Sequence, residues 1–213
     1  MKILKLSALI ATLLIGSTAN AAIISDYSKS TAIADGWTVV YQGAYGSSFN
    51  YGSLLNSLSP ASQVALASSA DSNATTFDLF AGTSLSVLQT ITGFNGTLLA
   101  DGTYWYRNDQ SVGFTPNGTI DQNSADVVGS GIGNADLSVA EADQRLSWHT
   151  GSNDMVTGGW RSGLNTWLND DNTWQRYVLV RDGNSQAVPE PTSGALLGLG
   201  LAGLAALRRK SRA

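Results

Sequence analysis

The sequence predicts a mainly β fold, an antiparallel β-sandwich or jelly-roll-like domain with one short helix. Glycine is abundant while glutamate and lysine are nearly absent between residues 22 and 187, which disfavours long helices. Asp-Gly and Asn-Gly dipeptides, which tolerate the positive φ of tight turns, recur along this region. The segments between them are short, and several alternate between apolar and polar residues as half-buried strands do.

The strands are predicted from the segments that lie between the turn dipeptides. Turns are predicted at residues 35–36, 95–96, 101–102, 117–118 and 182–183. Strands are predicted at residues 37–42, 75–80, 85–91, 96–100, 103–107, 111–115, 144–149, 158–161 and 174–181. Regular spacing of this kind indicates a sandwich or jelly roll, although it does not give the order of the strands.

The short helix is predicted after a serine-proline pair. Ser59 is a suitable N-cap, Pro60 suits the first helical position, and residues 61–68 continue the helix. Residues 54–58 are predicted to form another helical turn just before it. The polar residues 25–34 are predicted to be a leading arm of the domain.

The N-terminus has the three parts of a secretory signal peptide. Lys2 and Lys5 form a basic region, residues 6–15 are apolar, and Ala19 and Ala21 occupy the small-residue positions of a cleavage site. We therefore expect export across the inner membrane and removal of residues 1–21.

The C-terminus has an uncharged run at residues 192–207, rich in glycine, alanine and leucine, followed by a basic cluster of Arg208, Arg209 and Lys210. A helix of this length spans about 24 Å, which is less than the roughly 30 Å of hydrocarbon in a bilayer. We therefore expect a short transmembrane helix of marginal stability. The excess of positive charge places the end of the chain, residues 208–213, in the cytoplasm.

A proline-containing tripeptide precedes this helix. Pro189, Glu190 and Pro191 keep the linker, residues 184–191, extended outside the membrane, because each proline restricts the residue before it. An extended segment at a membrane surface is accessible to a protease.

Together the tripeptide, the short helix and the basic cluster resemble the PEP-CTERM sorting signal. The resemblance implies an exported protein of a Gram-negative, exopolysaccharide-producing bacterium, held transiently in the inner membrane and cleaved near the tripeptide by an exosortase. It places the processed protein in the periplasm, outer envelope or extracellular matrix, with exopolysaccharide or other matrix components as partners. The resemblance covers residues 188–212 and assigns no function to residues 22–183, the predicted extracytoplasmic domain. An ordinary single-span anchor is the alternative.

The charge of the domain limits its partners. Residues 23–186 contain 15 acidic and six basic side chains, a formal net charge of −9, whereas the whole chain carries −4. This acidity argues against a nucleic-acid partner, which requires a basic surface. Cysteine is absent, so no disulfide stabilises the exported domain.

No catalytic residue and no metal ligand is assigned from the sequence. The chain has a single histidine, His149, for which a structural role is favoured over catalysis because no nucleophile motif accompanies it. No cofactor is expected. A structural calcium ion is the alternative, with Asp136, Glu141 and Asp143, or else Asp170 and Asp171, as candidate ligands, and solvated loop charge is the favoured explanation of these acidic clusters.

Aromatic residues are the most distinctive content of the domain. Tyr104 and Trp105 lie on a predicted strand, and Trp160, Trp167 and Trp174 follow at intervals of seven residues. The intervening glycine, asparagine and aspartate residues exclude a long helix, so the heptad spacing does not indicate a coiled coil. These five rings are candidate glycan contacts, although core packing is favoured for any one of them.

Three classes of function remain open. The favoured one is a non-catalytic exported protein of the envelope or biofilm matrix, with a structural or adhesive role. A glycan-binding module is the alternative, and it requires exposed aromatic side chains. A secreted hydrolase is the third, and it requires His149 within hydrogen-bond reach of serine and aspartate side chains, or two facing carboxylates.

Overall fold

The computed structural model describes residues 23–128, 131–132 and 139–183. The predicted signal peptide, linker, sorting helix and basic end lie outside these residues. Within the described part of the chain, no helix is long and apolar enough to cross a membrane.

The described strands are, in chain order, β1 (Ile24–Ser28), β2 (Thr38–Ala44), β3 (Phe49–Asn50), β4 (Ser62–Ser69), β5 (Thr76–Ser84), β6 (Leu98–Ala100), β7 (Thr103–Arg107), β8 (Ser111–Thr115), β9 (Val127–Val128), β10 (Gly131–Ile132), β11 (Leu146–His149), β12 (Met155–Val156), β13 (Arg161–Ser162), β14 (Asn165–Thr166) and β15 (Gln175–Asp182). The helices are α1 (Lys29–Ala34), α2 (Tyr51–Asn56), α3 (Leu85–Gln89) and α4 (Val139–Asp143), with a short 3-10 turn at Ser152–Asp154.

Two antiparallel sheets form the body of the domain. The first sheet has five strands in the order β1-β5-β4-β15-β2, and the second sheet has six in the order β14-β13-β11-β8-β7-β6. Two further two-stranded pairs, β3 with β12 and β9 with β10, lie outside these sheets. The last strand, β15, therefore lies between β4 and β2, inside the first sheet.

The main hydrophobic core lies between the two sheets. Val64 and Leu66 of β4 pack with Trp105, Phe114 and other residues of the second sheet. Successive side chains of a strand point to opposite faces. Accordingly, the alanines that alternate with Val64 and Leu66 belong to a separate cluster on the outer face of the first sheet. This division confirms a mainly β, sandwich-like fold.

Helix α1 covers the outer face of the first sheet. Its Ala32 is buried in a cluster that includes Trp37, Phe80 and Tyr177. Lys29, the first residue of α1, donates a hydrogen bond to the Tyr177 hydroxyl at 2.9 Å, and its ammonium also lies over the Tyr177 ring. The outer face of the first sheet is therefore buried beneath α1 and forms a second, smaller core.

The loop at residues 116–126, which we name the cover loop, lies against the outer face of the second sheet. Its Ile120 and Ala125 form a small buried cluster with Tyr106 of β7. The Tyr106 hydroxyl donates to the carbonyl oxygen of Leu146 at 3.0 Å and accepts from the Ala125 amide at 3.2 Å. The loop is thus bonded to the sheet that it covers.

Most of the predicted strands are confirmed, and four local predictions are wrong. Of the strand predicted at residues 158–161, only Arg161 lies in a strand, β13. Residues 61–68, predicted as the helix, contain most of strand β4, whereas residues 85–91, predicted as a strand, begin with helix α3. The leading arm at residues 25–34 is strand β1 followed by helix α1. The helical turn predicted at residues 54–58 overlaps α2. The domain thus has several short helices rather than one.

Candidate functional site

The structure separates the five candidate glycan contacts by exposure. Trp105 is only 1% exposed and packs edge-on against Phe114 in the main core. Its prediction as a glycan contact is therefore wrong, because its neighbours on β7 point the other way and leave this ring between the sheets.

Tyr104 and Trp174 are half-buried. Tyr104 lies against Gly118 of the cover loop, so closely that a Cβ on Gly118 would lie 2.7 Å from the ring. Trp174 packs on the main core, and its backbone amide donates to the Asp171 carboxylate at 2.8 Å. Neither ring presents a full face to solvent.

Trp160 and Trp167 form a contacting pair with inclined rings next to the β13–β14 hairpin. Their ring centroids are 3.9 Å apart and their planes are inclined by 55°. Trp160 is 9% exposed, whereas Trp167 is 72% exposed. The strand pairing continues beyond β13 and β14, because the Leu168 amide donates to the carbonyl oxygen of Trp160 at 3.2 Å. Of the five candidate rings, Trp167 is the one that solvent reaches over most of its surface.

The backbone at Trp167 is strained. Its φ is +68°, in the left-handed region that bulky residues rarely adopt. Such a conformation costs about 1–2 kcal/mol for a residue other than glycine. The ring contact with Trp160 acts in the opposite direction, because it favours the position that Trp167 occupies.

Two buried polar atoms near this pair have no hydrogen-bond partner among the residues that the structure describes. One is Nε1 of Trp160 and the other is Oδ1 of Asn169. Asn169 lies beside Gly158, two residues before Trp160, because the chain segments on either side of the hairpin run together. A buried indole N–H normally finds an acceptor. Trp160 thus carries one unused donor, and an unused acceptor lies beside Gly158, two residues before it in the sequence.

His149 pairs with an aspartate of the cover loop. Its Nε2 lies 2.7 Å from Oδ2 of Asp126, and the His149 side chain is about one-third exposed. Among the described residues, no serine hydroxyl bonds to the ring. The nearby Ser124 and Ser147 hydroxyls bond to each other at 2.9 Å. The structure therefore brings a histidine and an aspartate together, with no triad serine among the residues whose side chains it describes.

Two of the candidate calcium ligands, Asp171 and Glu141, accept hydrogen bonds from nearby residues. The Asp171 carboxylate accepts hydrogen bonds from Thr173 and Trp174; burial acts to raise the pKa of Asp171, but these bonds outweigh it and lower the pKa. Glu141 accepts a hydrogen bond from Asn117 at 2.9 Å. Asp136 lies outside the described residues. In the described part of the chain, no group of three or more acidic or histidine residues could hold a metal ion.

The structure also shows buried arginines that sequence reasoning missed. Arg176 is fully buried between the sheets, where it donates to the carbonyl oxygens of Gly158, Ala44 and Ser47. Burial lowers the pKa of Arg176. Its guanidinium also lies over the ring of Trp148, at 5.9 Å from the centroid. Arginine is rarely buried, so composition gave no signal for this role.

One exposed aromatic residue was also missed. Phe94 is strongly exposed in the loop between α3 and β6. Its neighbour Asn95 exchanges backbone-to-side-chain hydrogen bonds with Asn123, at 2.9 and 2.7 Å, which fix the loop on the cover loop. The sequence places this segment between a turn and a strand and does not indicate the exposure of the ring.

Comparison with known proteins identifies the tail of the chain. Residues 187–210 match the PEP-CTERM protein-sorting motif, which confirms the predicted sorting signal. The motif indicates an exported protein that is transiently anchored in the membrane and processed by an exosortase. No curated protein and no solved structure matches the chain. The match does not extend to the sandwich.

Proposed function

We propose that this exported protein is a non-catalytic component of the cell envelope or biofilm matrix that adheres to exopolysaccharide. The sorting motif supports delivery to the exopolysaccharide-producing surface, as the resemblance implies. The acidic domain disfavours polyanions as partners and leaves neutral saccharides open. The His149–Asp126 pair lacks a serine partner among the described residues, so a secreted hydrolase has less support.

The observation that carries the adhesive role is the exposure of Trp167. The Trp167 indole is 72% exposed although its backbone is strained, and its contact with Trp160 leaves most of its surface open to solvent. Conformational strain of this kind concentrates at binding and active sites. The indole face suits the apolar face of a pyranose ring, and Asn165 offers an exposed polar side chain on the same hairpin. This observation favours saccharide binding over a purely structural role.

The proposal is tested by sedimentation with exopolysaccharide purified from the producing cells. The processed protein should sediment with the polymer, and Trp167→Gly should abolish most of this binding. Glycine adopts the left-handed backbone without strain, so this variant removes the ring without a new backbone cost. Trp174→Phe is the matched control, because Trp174 is half-buried on the core and should not contact the polymer.

The size of the polymer distinguishes adhesion from hydrolysis. Incubation with the protein should leave the molar mass of the exopolysaccharide unchanged, as measured by size-exclusion chromatography with light scattering. Shortening of the polymer that disappears in His149→Ala would identify a hydrolase instead. Equal sedimentation of Trp167→Gly and the parent protein would overturn the role of Trp167.

A further inference from the structure

We infer that Trp160 and Trp167 form a clamp, in which Trp167 moves as a lid and a pyranose ring binds between the two indoles. This inference rests on the proposed function, because it specifies how the same surface holds a saccharide. It adds a second binding residue, Trp160, and a conformational change.

Movement of the lid is confined to one residue. Thr166 pairs with Arg161 across the hairpin, and Leu168 is buried in the main core. Between these fixed neighbours, Trp167 has a left-handed backbone, and within the described part of the chain its ring contacts the ring of Trp160. Opening breaks this contact, whereas a return of φ to the usual region relieves the backbone strain at Trp167, so the two effects oppose each other. A ligand with a modest preference for the open position can therefore shift the population.

The unused polar atoms point to a ligand with hydroxyl groups. Nε1 of Trp160 is a donor without an acceptor, and Oδ1 of Asn169 is an acceptor without a donor, among the described residues. A hydroxyl both donates and accepts, so adjacent hydroxyls of one sugar ring could bond to both atoms. When Trp167 moves away, Trp160 loses the ring that covers it, and its indole face and N–H become accessible. A neutral sugar combines an apolar face with hydroxyls at its edge, which matches both features.

The inference is tested by fluorine NMR of protein labelled with 5-fluorotryptophan and purified in its processed form from producing cells. The chain has six tryptophans, and Trp160→Phe and Trp167→Phe assign the two relevant resonances. The purified exopolysaccharide is added first, followed in separate titrations by cellohexaose and maltohexaose as neutral pyranose probes. Both resonances should shift together, because the bound ring contacts both indoles.

The Trp160→Phe variant gives a second measurement. It keeps an aromatic ring beneath the lid but removes the N–H, so the affinity for the saccharide should fall by about threefold to tenfold, as for the loss of one hydrogen bond. Trp174→Phe is the control and should retain the parent affinity. If Trp160→Phe fails to fold, the fluorine NMR titration of the parent protein still shows whether both indoles contact the saccharide.

The outcomes separate the clamp from the proposed function. A shift of the Trp167 resonance alone, with unchanged affinity in Trp160→Phe, would overturn the clamp and leave Trp167 as a simple exposed platform. Sedimentation with the polymer but no shift of either resonance would place binding elsewhere and overturn both the clamp and the role of Trp167. Absence of binding in every assay would overturn the proposed function itself.

Discussion

Tyr45 and Tyr51 are both fully buried between the sheets, but their hydroxyl groups differ. The Tyr45 hydroxyl accepts from Nε1 of Trp148 at 3.2 Å and donates to the carbonyl oxygen of Arg161 at 3.2 Å. The Tyr51 hydroxyl has no partner among the described residues. The two side chains therefore contribute to stability with opposite signs, since a buried polar group without a partner costs free energy.

Tyr51→Phe is expected to raise the free energy of unfolding by about 1 kcal/mol, because it removes this unpaired hydroxyl. Burial raises the pKa of Tyr51, so the folded state keeps a proton that the unfolded state releases near pH 10. The contribution of Tyr51 to the free energy of unfolding therefore falls as the pH rises above about 10. The difference in stability between Tyr51→Phe and the parent protein should grow in that range. Urea unfolding at about pH 8 and about pH 10.5 measures both effects.

Tyr45→Phe is the control for this prediction. It leaves a donor of Trp148 and an acceptor of Arg161 without their partner, so it should lower the free energy of unfolding by about 1–3 kcal/mol. A Tyr51→Phe variant less stable than the parent protein would contradict the assignment of an unpaired hydroxyl.

At the residue scale, the sequence predicts which segments the tryptophans belong to but not which of their rings are exposed. The sequence indicates that Trp105 and Trp167 belong to β-rich segments, and both are found there or directly beside a strand. It does not indicate that Trp105 faces the core and Trp167 faces solvent, because the direction of a ring depends on what the opposite sheet places against it. The His149–Asp126 contact joins residues distant in sequence and has no local signal either.

At the scale of elements, β4 and α3 show why two local predictions are wrong. Ser62–Ser69 follows a serine-proline pair that suits a helix start, but the segment lies between β5 and β15, and the sheet buries both of its faces. Tertiary pairing therefore overrides local propensity. Leu85–Gln89 is helical because Leu85 and Leu88, three residues apart, are buried on one side. That spacing suits a helix. The segment was predicted as a strand because its apolar and polar residues appear to alternate.

The edge strands of both sheets are short or irregular. At the edges of the second sheet, β6 has three residues and β14 has two. At the edges of the first sheet, β1 has Asp26 in a left-handed conformation, and β2 contains a bulge. Val178 and Leu179 of β15 pair with Tyr41 and Val39, so Val40 is the extra residue. Such features hinder edge-to-edge pairing between copies of a protein.

Deletion of Val40 is expected to increase self-association, because it removes the bulge from an uncharged edge strand. The residues directly before the bulge, Thr38 and Val39, are exposed, so reversing their faces should cost little, whereas the shift of the buried Trp37 should lower the stability of the variant. Multi-angle light scattering over a range of protein concentrations measures the change. Val40→Thr is the control, since it keeps the extra residue and should behave as the parent protein. A deletion variant with the parent's mass at every concentration would disprove the role of the bulge.

At the scale of the whole molecule, charge separates the domain from the ends of the chain. Half of the 12 lysines and arginines lie in the predicted signal peptide and beyond residue 207, whereas nearly all acidic residues lie between them. Removal of the two ends therefore leaves a strongly acidic product. The tripeptide before the predicted sorting helix is expected to direct the second cut.

The double variant Pro189→Ala, Pro191→Ala is expected to impair processing, because alanine allows the sorting helix to extend into the linker. Intact mass of protein recovered from the envelope and the medium is the measurement. The parent product should start near Ala22 and end near Pro191, whereas the variant should retain residues 208–213. Gln186→Ala, in the same linker, is the control. Normal processing of the double variant would show that the protease does not recognise the prolines.

The sequence therefore predicts the class of fold and the sorting of the chain better than the site. Sorting depends on contiguous residues whose order can be read directly, and the sandwich follows from composition and turn spacing. The Trp160–Trp167 pair depends on the path of a hairpin and on one unusual backbone angle, neither of which has a local pattern.

The position of β15 has a consequence for export. This strand ends the domain, yet it lies between β4 and β2, and in the described part of the chain β2 pairs with β15 alone. The first sheet thus cannot be completed until almost the last domain residue has left the secretion channel. A chain built in this way delays its own folding during translocation. It is expected to complete its fold on the far side of the membrane, when little more than the linker remains to be translocated.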